Sequence, residues 1–204
     1  MRVAIIKYNA GNLQSVKFAL NRIGIEPLVT DSIAEIQSAD KIIFPGVGEA
    51  SSAMTYLKSK GLDSLIPNLK QPVLGICLGM QLMCKYSEEG NTDCLGIFNS
   101  IVKRFNSHLE GGQTGGQGDV KVPQIGWNNI SNFKSDLFKN IAENEYMYFV
   151  HGYFVETGAN TISTTNYISD YSSALQKDNF YGVQFHPEKS GNAGEQLLKN
   201  FIEL

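Results

Sequence analysis

The feature that most constrains this chain is the segment 75–79, Gly-Ile-Cys-Leu-Gly, which joins an apolar run to a helix-compatible stretch. The run before it predicts a buried strand, and residues 78–86 favour a helix. A cysteine at so sharp a turn matches the cysteine form of a nucleophile elbow. Side chains two positions away would crowd that turn, so Gly75 and Gly79 leave the space that Cys77 needs.

The predicted turn also affects the reactivity of the Cys77 thiol. It places the sulfur at a helix N-terminus, where free backbone amides and the helix dipole favour thiolate over thiol. The thiolate is the nucleophilic form of cysteine, so the pattern indicates covalent catalysis. The alternative for this segment alone is a small buried cysteine between two packing glycines.

The end of the chain supplies the groups that a catalytic cysteine requires. Residues 181–185 predict a strand, and His186, Pro187 and Glu188 follow at its tip. Pro187 favours extended backbone at His186, and residues i and i+2 of an extended chain point the same way. Taken singly, His186 and Glu188 are compatible with a surface histidine and a solvated charge. Together with Cys77 they predict a triad in which Glu188 orients His186 as the base.

Length and composition limit the class of protein. A chain of 204 residues with 42% hydrophobic and 18% charged residues predicts one globular α/β domain over residues 1–204. A net charge of −3 leaves no electrostatic footprint for nucleic acid or for an anionic membrane. No apolar run approaches the length of a membrane span, and the first residues enter a strand rather than a signal peptide. We therefore expect a cytoplasmic protein.

The cysteines give no evidence for a structural metal or a disulfide framework. Cys77, Cys84 and Cys94 are an odd, sparse set without a Cys-x-x-Cys pair. We predict no metal site and no cofactor, and we expect Cys84 and Cys94 to be chemically inert. A reducing cytoplasm suits a chain with a reactive thiol.

The first part of the chain alternates between strand and helix patterns. Predicted strands lie at 3–6, 27–29, 41–44 and 73–76, and predicted helices at 13–23, 33–37, 49–60 and 78–86, with Asn12 as a plausible N-cap of the first. Short connections between alternating elements predict a doubly wound, mostly parallel sheet. Ligands of such sheets gather beyond the carboxyl ends of the strands.

From residue 95 onward the helical periodicity largely disappears. The β-favouring runs are 101–105, 129–133, 146–150, 161–165 and 173–176, before a closing amphipathic helix at 194–204. We interpret these runs as an antiparallel extension of the sheet within the same domain. The glycine-rich segment 108–119 lacks the spacing of a phosphate-binding loop, so it predicts a surface loop without chemistry.

Residues 75–81 and 182–188 together resemble the class I glutamine amidotransferase family. The segments 8–13, 44–48, 126–128, 148–151 and 189–190 are similar to one branch, the glutaminase subunits of imidazole glycerol phosphate synthase in histidine biosynthesis. The resemblance extends nearly end to end and implies a flavodoxin-like α/β architecture.

The resemblance also implies an activity and a partner. Glutamine would be hydrolysed to glutamate and ammonia through Cys77, His186 and Glu188. The ammonia would pass to a (β/α)8 synthase subunit, bound as a heterodimer, which makes imidazole glycerol phosphate and AICAR.

Roles for further residues follow from the same resemblance. Backbone amides of Leu78 and of Val47 or Gly48 would form an oxyanion hole, and the glycines around Val47 would let that loop flip, so the hole need not be formed at rest. Contacts to substrate glutamine are implied for Gly46, Gln81, Glu89, His151 and Tyr153. Contacts to the partner are implied for Asn12, Trp127, Tyr148 and Lys189.

Three positions depart from the family pattern. Lys7 stands where Asp is usual, Gln124 where His is frequent, and Gly152 where Ser or Thr is commoner. None belongs to the triad, so they bear on the partner and the pathway rather than on the chemistry.

Three alternatives therefore stay open. The same glutaminase chemistry serves another synthase in related pairs, such as those that aminate sugars for surface polysaccharides. A Cys-His-Glu peptidase or γ-glutamyl hydrolase is a second alternative, and a non-catalytic binding subunit is a third.

Overall fold

The computed structural model describes residues 1–9, 11–106 and 120–204. The glycine-rich segment 108–119, predicted to be a surface loop, lies outside the described residues. The helices of the described chain are α1 (Leu13–Arg22), α2 (Ile33–Ser38), α3 (Ala50–Ser59), α4 (Leu62–Leu65), α5 (Leu78–Leu82) and α6 (Gly191–Glu203).

The strands form one large sheet and two small ones. In chain order they are β1 (Val3–Ile6), β2 (Leu28–Thr30), β3 (Lys41–Phe44), β4 (Val73–Ile76), β5 (Tyr86–Ser87), β6 (Thr92–Asp93), β7 (Ile101–Arg104), β8 (Gln124–Ile130), β9 (Glu145–His151), β10 (Tyr153–Val155), β11 (Thr161–Asn166), β12 (Asp170–Lys177) and β13 (Phe180–Val183).

The large sheet has the strand order β11-β12-β13-β4-β3-β1-β2. The five strands from β2 to β13 pair in parallel, and β11 and β12 are added antiparallel at one edge. The predicted doubly wound, mostly parallel sheet with an antiparallel extension is therefore confirmed. Its parallel strands β1, β3 and β4 are buried at every position, as expected for strands covered on both faces.

The antiparallel extension holds fewer strands than the sequence pattern suggested. Strands β8 and β9 form a separate two-stranded hairpin, and β7 joins β10, β5 and β6 in a four-stranded sheet. Strand-forming runs alone do not determine which sheet a strand joins, because that choice depends on long-range packing. The run predicted at 129–133 is also out of place, since β8 ends at Ile130.

Helices cover both faces of the large sheet. On one face, Ile6, Ile42 and Phe44 contact a core that includes side chains of α2, α3 and α4. On the other face, Ile5 and Ile43 share a core with α1, α6 and the inner side of β9. This arrangement leaves the carboxyl ends of β3, β4 and β13 side by side at one edge.

Two element boundaries differ from prediction near that edge. Helix α5 ends at Leu82 rather than near residue 86, because Tyr86 and Ser87 pair in the small sheet. Asn12 precedes α1 but does not cap it: its backbone is left-handed and its side chain makes no capping hydrogen bond to the helix.

Within the described chain, none of the helices combines the length and the apolarity needed to cross a bilayer.

Candidate active site

Cys77 occupies the sharp turn between β4 and α5. Its backbone has φ 51° and ψ −108°, a region that L-residues rarely adopt and that costs about 1–3 kcal/mol. The predicted need for glycine on both sides is met. A Cβ on Gly75 would lie 2.8 Å from the Met80 nitrogen, and one on Gly79 would lie 1.8 Å from the Phe44 carbonyl oxygen.

His186 and Glu188 lie together at the tip of the neighbouring strand. His186 Nδ1 and Glu188 Oε1 are 2.7 Å apart, and both side chains are fully buried. His186 Nε2 and Glu188 Oε2 have no hydrogen-bond partner among the described residues. A proton fixed on Nδ1 by the carboxylate leaves Nε2 as the nitrogen that can exchange protons with a reacting group.

Asn12 joins this pair rather than the helix that follows it. Its Nδ2 donates to Glu188 Oε1 and lies 3.5 Å from His186 Nδ1. The sequence interpretation assigned Asn12 to a partner surface, and nothing in the local pattern links it to the triad. The contact arises because the first loop and the last strand meet at the same edge of the sheet.

The electrostatic setting of His186 favours its charged form. Burial lowers the pKa of His186, but the negative charges of Cys77 and Glu188 outweigh burial and raise it to about 10. At neutral pH the imidazole is therefore protonated on both nitrogens and positively charged, beside the cysteine sulfur. A charged histidine in this position is suited to protonate a leaving group.

The amide of Leu78, predicted as an oxyanion donor, already has an acceptor. It donates to the Gly46 carbonyl oxygen at 3.3 Å. The preceding carbonyl, that of Pro45, accepts from the buried Tyr8 hydroxyl at 2.6 Å. Gly48 has φ +119°, which only glycine adopts easily. The loop thus stands in a conformation that keeps the Leu78 amide occupied.

A cavity of about 300 Å³ opens beside the cysteine. Most residues predicted for the oxyanion hole and for glutamine binding line it, whereas Gly46 does not. Pro123, Val150 and Gly152 complete the wall without having been predicted. The lining residues are Val47, Gly48, Cys77, Leu78, Gln81, Glu89, Pro123, Val150, His151, Gly152 and Tyr153.

Two polar side chains of the cavity are held by backbone groups. Gln81 Nε2 donates to the Tyr153 carbonyl oxygen at 3.0 Å. Glu89 Oε2 accepts from the Ala50 amide at 2.9 Å. Burial raises the pKa of Glu89 more than this amide lowers it. The contact with Tyr153 runs through its carbonyl oxygen.

His151 belongs to a buried network that the sequence did not reveal. Its Nδ1 lies 2.7 Å from the Tyr153 carbonyl oxygen, and its Nε2 lies 3.3 Å from the Tyr171 hydroxyl. Tyr171 also donates to Gln124 Oε1 at 3.0 Å. Burial lowers the pKa of His151 to about 4, so the cavity wall is neutral here. Gln124 is 3% exposed, which places this departure from the family pattern inside the fold.

Of the other residues predicted for a partner surface, Trp127 and Tyr148 lie opposite each other on the β8–β9 hairpin, and Lys189 lies next to Tyr148 from the turn after β13. The Trp127 and Tyr148 rings meet edge to face with centroids 6.0 Å apart, and Lys189 Nζ lies 5.7 Å from the Tyr148 ring. Trp127 is 56% exposed. The Tyr148 carbonyl oxygen accepts from the His186 amide at 2.9 Å, so this surface is bonded to the triad.

The remaining cysteines have no comparable environment. Burial raises the pKa of the Cys84 thiol, and burial with the nearby Asp93 charge raises that of Cys94 to about 12. Both are therefore protonated and unreactive at neutral pH. In the described part of the chain, no three potential metal-binding side chains cluster together.

Comparison with known proteins identifies the family to which this chain belongs. The model of the family described as glutamine amidotransferase class-I matches residues 5–204. The chain belongs to this family.

The chain also has close relatives within the class I glutamine amidotransferases. It is 56% identical to the "imidazole glycerol phosphate synthase subunit HisH" of Bacteroides fragilis, with 100% of both chains covered. It is 46% identical to the protein of the same name from Pasteurella multocida, over 98% of this chain and 97% of that one.

Solved structures agree on the fold. A glutamine amidotransferase of known crystal structure has a TM-score of 0.73 at 15% identity, covering 100% of this chain and 98% of that one. PurLQS from Thermotoga maritima has a TM-score of 0.71 at 16% identity, covering 99% and 97%.

Proposed function

We propose that this class I glutamine amidotransferase is the glutaminase subunit of an imidazole glycerol phosphate synthase, acting in histidine biosynthesis. The observation that carries the chemistry is the buried His186–Glu188 pair, with His186 Nε2 unpartnered among the described residues beside Cys77. The pathway is supported by relatives named as that subunit, 56% identical over the full length. The family match over residues 5–204 supports a single glutaminase domain.

The first half of the reaction forms a thioester. The Cys77 thiolate attacks the side-chain carboxamide carbon of glutamine, and the resulting oxyanion is held by the amide of Leu78 with that of Val47 or Gly48. The charged His186 gives its Nε2 proton to the departing nitrogen, which leaves as ammonia. Glu188 holds the imidazole in place through Nδ1.

The second half uses the same groups in reverse. The now neutral His186 takes a proton from water, and the hydroxide attacks the γ-glutamyl thioester carbon. The carbon–sulfur bond breaks, glutamate leaves, and Cys77 returns as thiolate beside a charged His186. The sum is glutamine and water to glutamate and ammonia, with no cofactor required.

Glutamine is seated by the cavity beside the thiolate. Gln81, Glu89, His151 and Tyr153 line it, and His151, with its pKa lowered to about 4, adds no charge to the wall at neutral pH. A carboxylate and amide oxygens suit the ammonium group of the substrate, whereas the backbone amides of the loop suit its carboxylate.

Delivery of ammonia requires a partner. Water would protonate free ammonia at neutral pH, so direct transfer to a docked (β/α)8 synthase subunit is favoured over release. The hairpin surface that contains Trp127, Tyr148 and Lys189 is the candidate docking face, because aromatic side chains are enriched in interfaces. Partner binding there would act on the triad through the bond between Tyr148 and His186.

Partner binding would also have to free the Leu78 amide from Gly46. We therefore expect a low rate of glutamine hydrolysis by the chain alone. As the relatives are biosynthetic enzymes, the cytoplasm is the proposed compartment.

The test is ammonia release from glutamine by the chain alone, and with the candidate (β/α)8 barrel protein and its ligand, beside Cys77→Ala. Activity that appears with the liganded barrel and disappears in the variant supports both the chemistry and the pathway. Activity that depends on Cys77 but that the barrel does not stimulate assigns the protein to another synthase, such as a sugar amidotransferase. Absence of Cys77-dependent activity in both conditions rejects the proposal.

A further inference from the structure

Gln184 is a fully buried polar residue that the mechanism above leaves without a role. It follows β13 directly and is 0% exposed. A buried amide needs hydrogen-bond partners, and its partners here are two other residues of the site.

The strand register brings Gln184 to the nucleophile. In the parallel pair β4–β13, Ile76 lies opposite Val183, so Cys77 and Gln184 are neighbours just beyond the strand ends. The Cys77 amide donates to the Val183 carbonyl oxygen at 2.8 Å. The side chains of Gln184 and His186, both just beyond the end of β13, lie beside the same sulfur.

The amide nitrogen of Gln184 faces the Cys77 sulfur. Nε2 lies 3.6 Å from Sγ, a hydrogen-bonding distance for the large sulfur atom. Among the described residues, Sγ also lies beside His186 and 3.8 Å from the Val150 carbonyl oxygen, which accepts a bond from a thiol but offers nothing to a thiolate. An N–H donor stabilises the thiolate more than the thiol, because a hydrogen bond to a charged acceptor is the stronger one.

The orientation of this amide is fixed by Gln81. Gln81 Nε2 donates to Gln184 Oε1 at 3.0 Å and to the Tyr153 carbonyl oxygen at 3.0 Å. A flipped Gln184 amide would set two N–H donors against each other and its oxygen against the sulfur. Only the arrangement with Nε2 toward Cys77 satisfies every group.

We propose that Gln184 stabilises the Cys77 thiolate through its side-chain N–H, and that Gln81 acts as a positioning residue that keeps this amide turned toward the sulfur. This inference rests on the proposed function, since it assigns Cys77 as the nucleophile. Because Gln81 also lines the cavity, one chain of amides joins the glutamine seat to the nucleophile.

The test measures thiolate formation without glutamine, so that substrate binding does not contribute. Alkylation of Cys77 by iodoacetamide is followed over the neutral to alkaline range, with peptide mass spectrometry separating Cys77 from Cys84 and Cys94. The variants are Gln184→Met, which keeps the length without the donor, and Gln81→Met. The control is Gln176→Met on the adjacent strand β12, whose Oε1 accepts from Ser135 at 2.6 Å, outside the site. Thermal unfolding checks that each variant is folded.

We expect Gln184→Met to lower the alkylation rate at neutral pH about tenfold, as a hydrogen bond to a charged group is lost. The rates of variant and wild type should converge at high pH, where the thiol ionises without help. Gln81→Met should lower the rate less, and Gln176→Met should leave it unchanged.

A folded Gln184→Met protein with the wild-type rate at neutral pH would overturn the proposal. A slower rate that persists at high pH would also overturn it, since that result reports access to the sulfur rather than its charge. If Gln184→Met does not fold, a wild-type rate in Gln81→Met overturns it. Because alkylation needs no turnover, a failure of the proposed glutaminase activity appears separately, as a lack of Cys77-dependent ammonia release.

Discussion

The Leu78 amide donates to the Gly46 carbonyl oxygen at 3.3 Å, so the backbone donor of the residue after the nucleophile is occupied in this structure. One missing oxyanion donor is worth about 10²–10³ in kcat. The contact is held in place one residue earlier, where the Tyr8 hydroxyl bonds the Pro45 carbonyl oxygen at 2.6 Å. With Leu78 as the proposed oxyanion donor, we expect the rate of glutamine hydrolysis by the isolated chain to depend on how firmly this loop is held.

The change that loosens the loop is Tyr8→Phe. Loss of one hydrogen bond, about 1 kcal/mol, should raise glutamine hydrolysis by the isolated chain about fivefold, because the conformation with a free Leu78 amide becomes more populated. Ammonia release without partner measures the effect. Tyr56→Phe, which removes a hydroxyl bonded to Asp31 on another part of the surface, is the control. An unchanged basal rate would mean that the Tyr8 bond persists when the loop moves.

Asn12 is predicted to support the triad directly. In Asn12→Asp, the N–H that bonds Glu188 is replaced by a carboxylate oxygen, so repulsion should displace Glu188 and lower kcat about tenfold or more. Asn9→Asp is the matched control, as Asn9 lies in the same loop and bonds Ser52 instead. Normal kcat with weaker binding of the partner would show that Asn12 serves the interface alone.

The pKa of His186 should depend on Cys77. In Cys77→Ala the negative charge beside the imidazole is lost while burial remains, so the pKa of His186 should fall below its value of about 10. Histidine-selective NMR titration measures it, with Cys84→Ala as the control. An unchanged titration of His186 in Cys77→Ala would contradict the close charge pairing of these residues.

His151 should make the fold less stable in acid. Its pKa is about 4 in the folded chain against 6.5 in the unfolded one, so between these values the unfolded chain binds the extra proton. The free energy of unfolding should therefore fall by about 3 kcal/mol from this residue as pH drops from 6.5 to 4. Chemical denaturation of wild type and His151→Gln at several pH values measures it. Equal pH dependence in both proteins would contradict the prediction.

The elbow should not tolerate a methyl group at Gly79. The added Cβ would lie 1.8 Å from a backbone oxygen of β3, so Gly79→Ala should lower the free energy of unfolding by about 3 kcal/mol or more. In Gly158→Ala the Cβ meets nothing within 4 Å, and the change should stay within about 0.5 kcal/mol. Denaturant unfolding compares them. A mild effect at Gly79 would mean that β3 and the elbow can separate.

Elements with strong local signals were predicted well. The buried strands, the amphipathic helices and the elbow follow from hydrophobic period and glycine spacing, which act over a few residues. Between residues 95 and 177, β7, β9, β11 and β12 were predicted as runs, β8 was misplaced and β10 was missed. The division of these strands among three sheets was not predicted, since pairing partners are chosen by packing across long stretches of chain. Helix α5 was predicted too long for the same reason.

The residues of the site differ in the same way, since some lie in recognisable short motifs and others are brought there only by folding. Cys77, His186 and Glu188 stand in short motifs whose chemistry is legible from residue type and spacing. Gln184 stands two residues before His186 in the same short segment, and that position within the motif was the signal that could have found it. Tyr8, Asn12 and Tyr171 gave no such signal, because their roles come from loops and strands that meet only after folding.

The sequence by itself determined the fold class, the family and the three groups proposed to carry the reaction, because the patterns that indicate them lie in short contiguous segments. Only the tertiary structure decided that Gly46 occupies the Leu78 amide, that Asn12 bonds Glu188, and that Gln184 faces the sulfur with its nitrogen. These contacts join residues distant in the chain, and hydrogen-bond geometry at that range is fixed by how the strand ends are placed side by side.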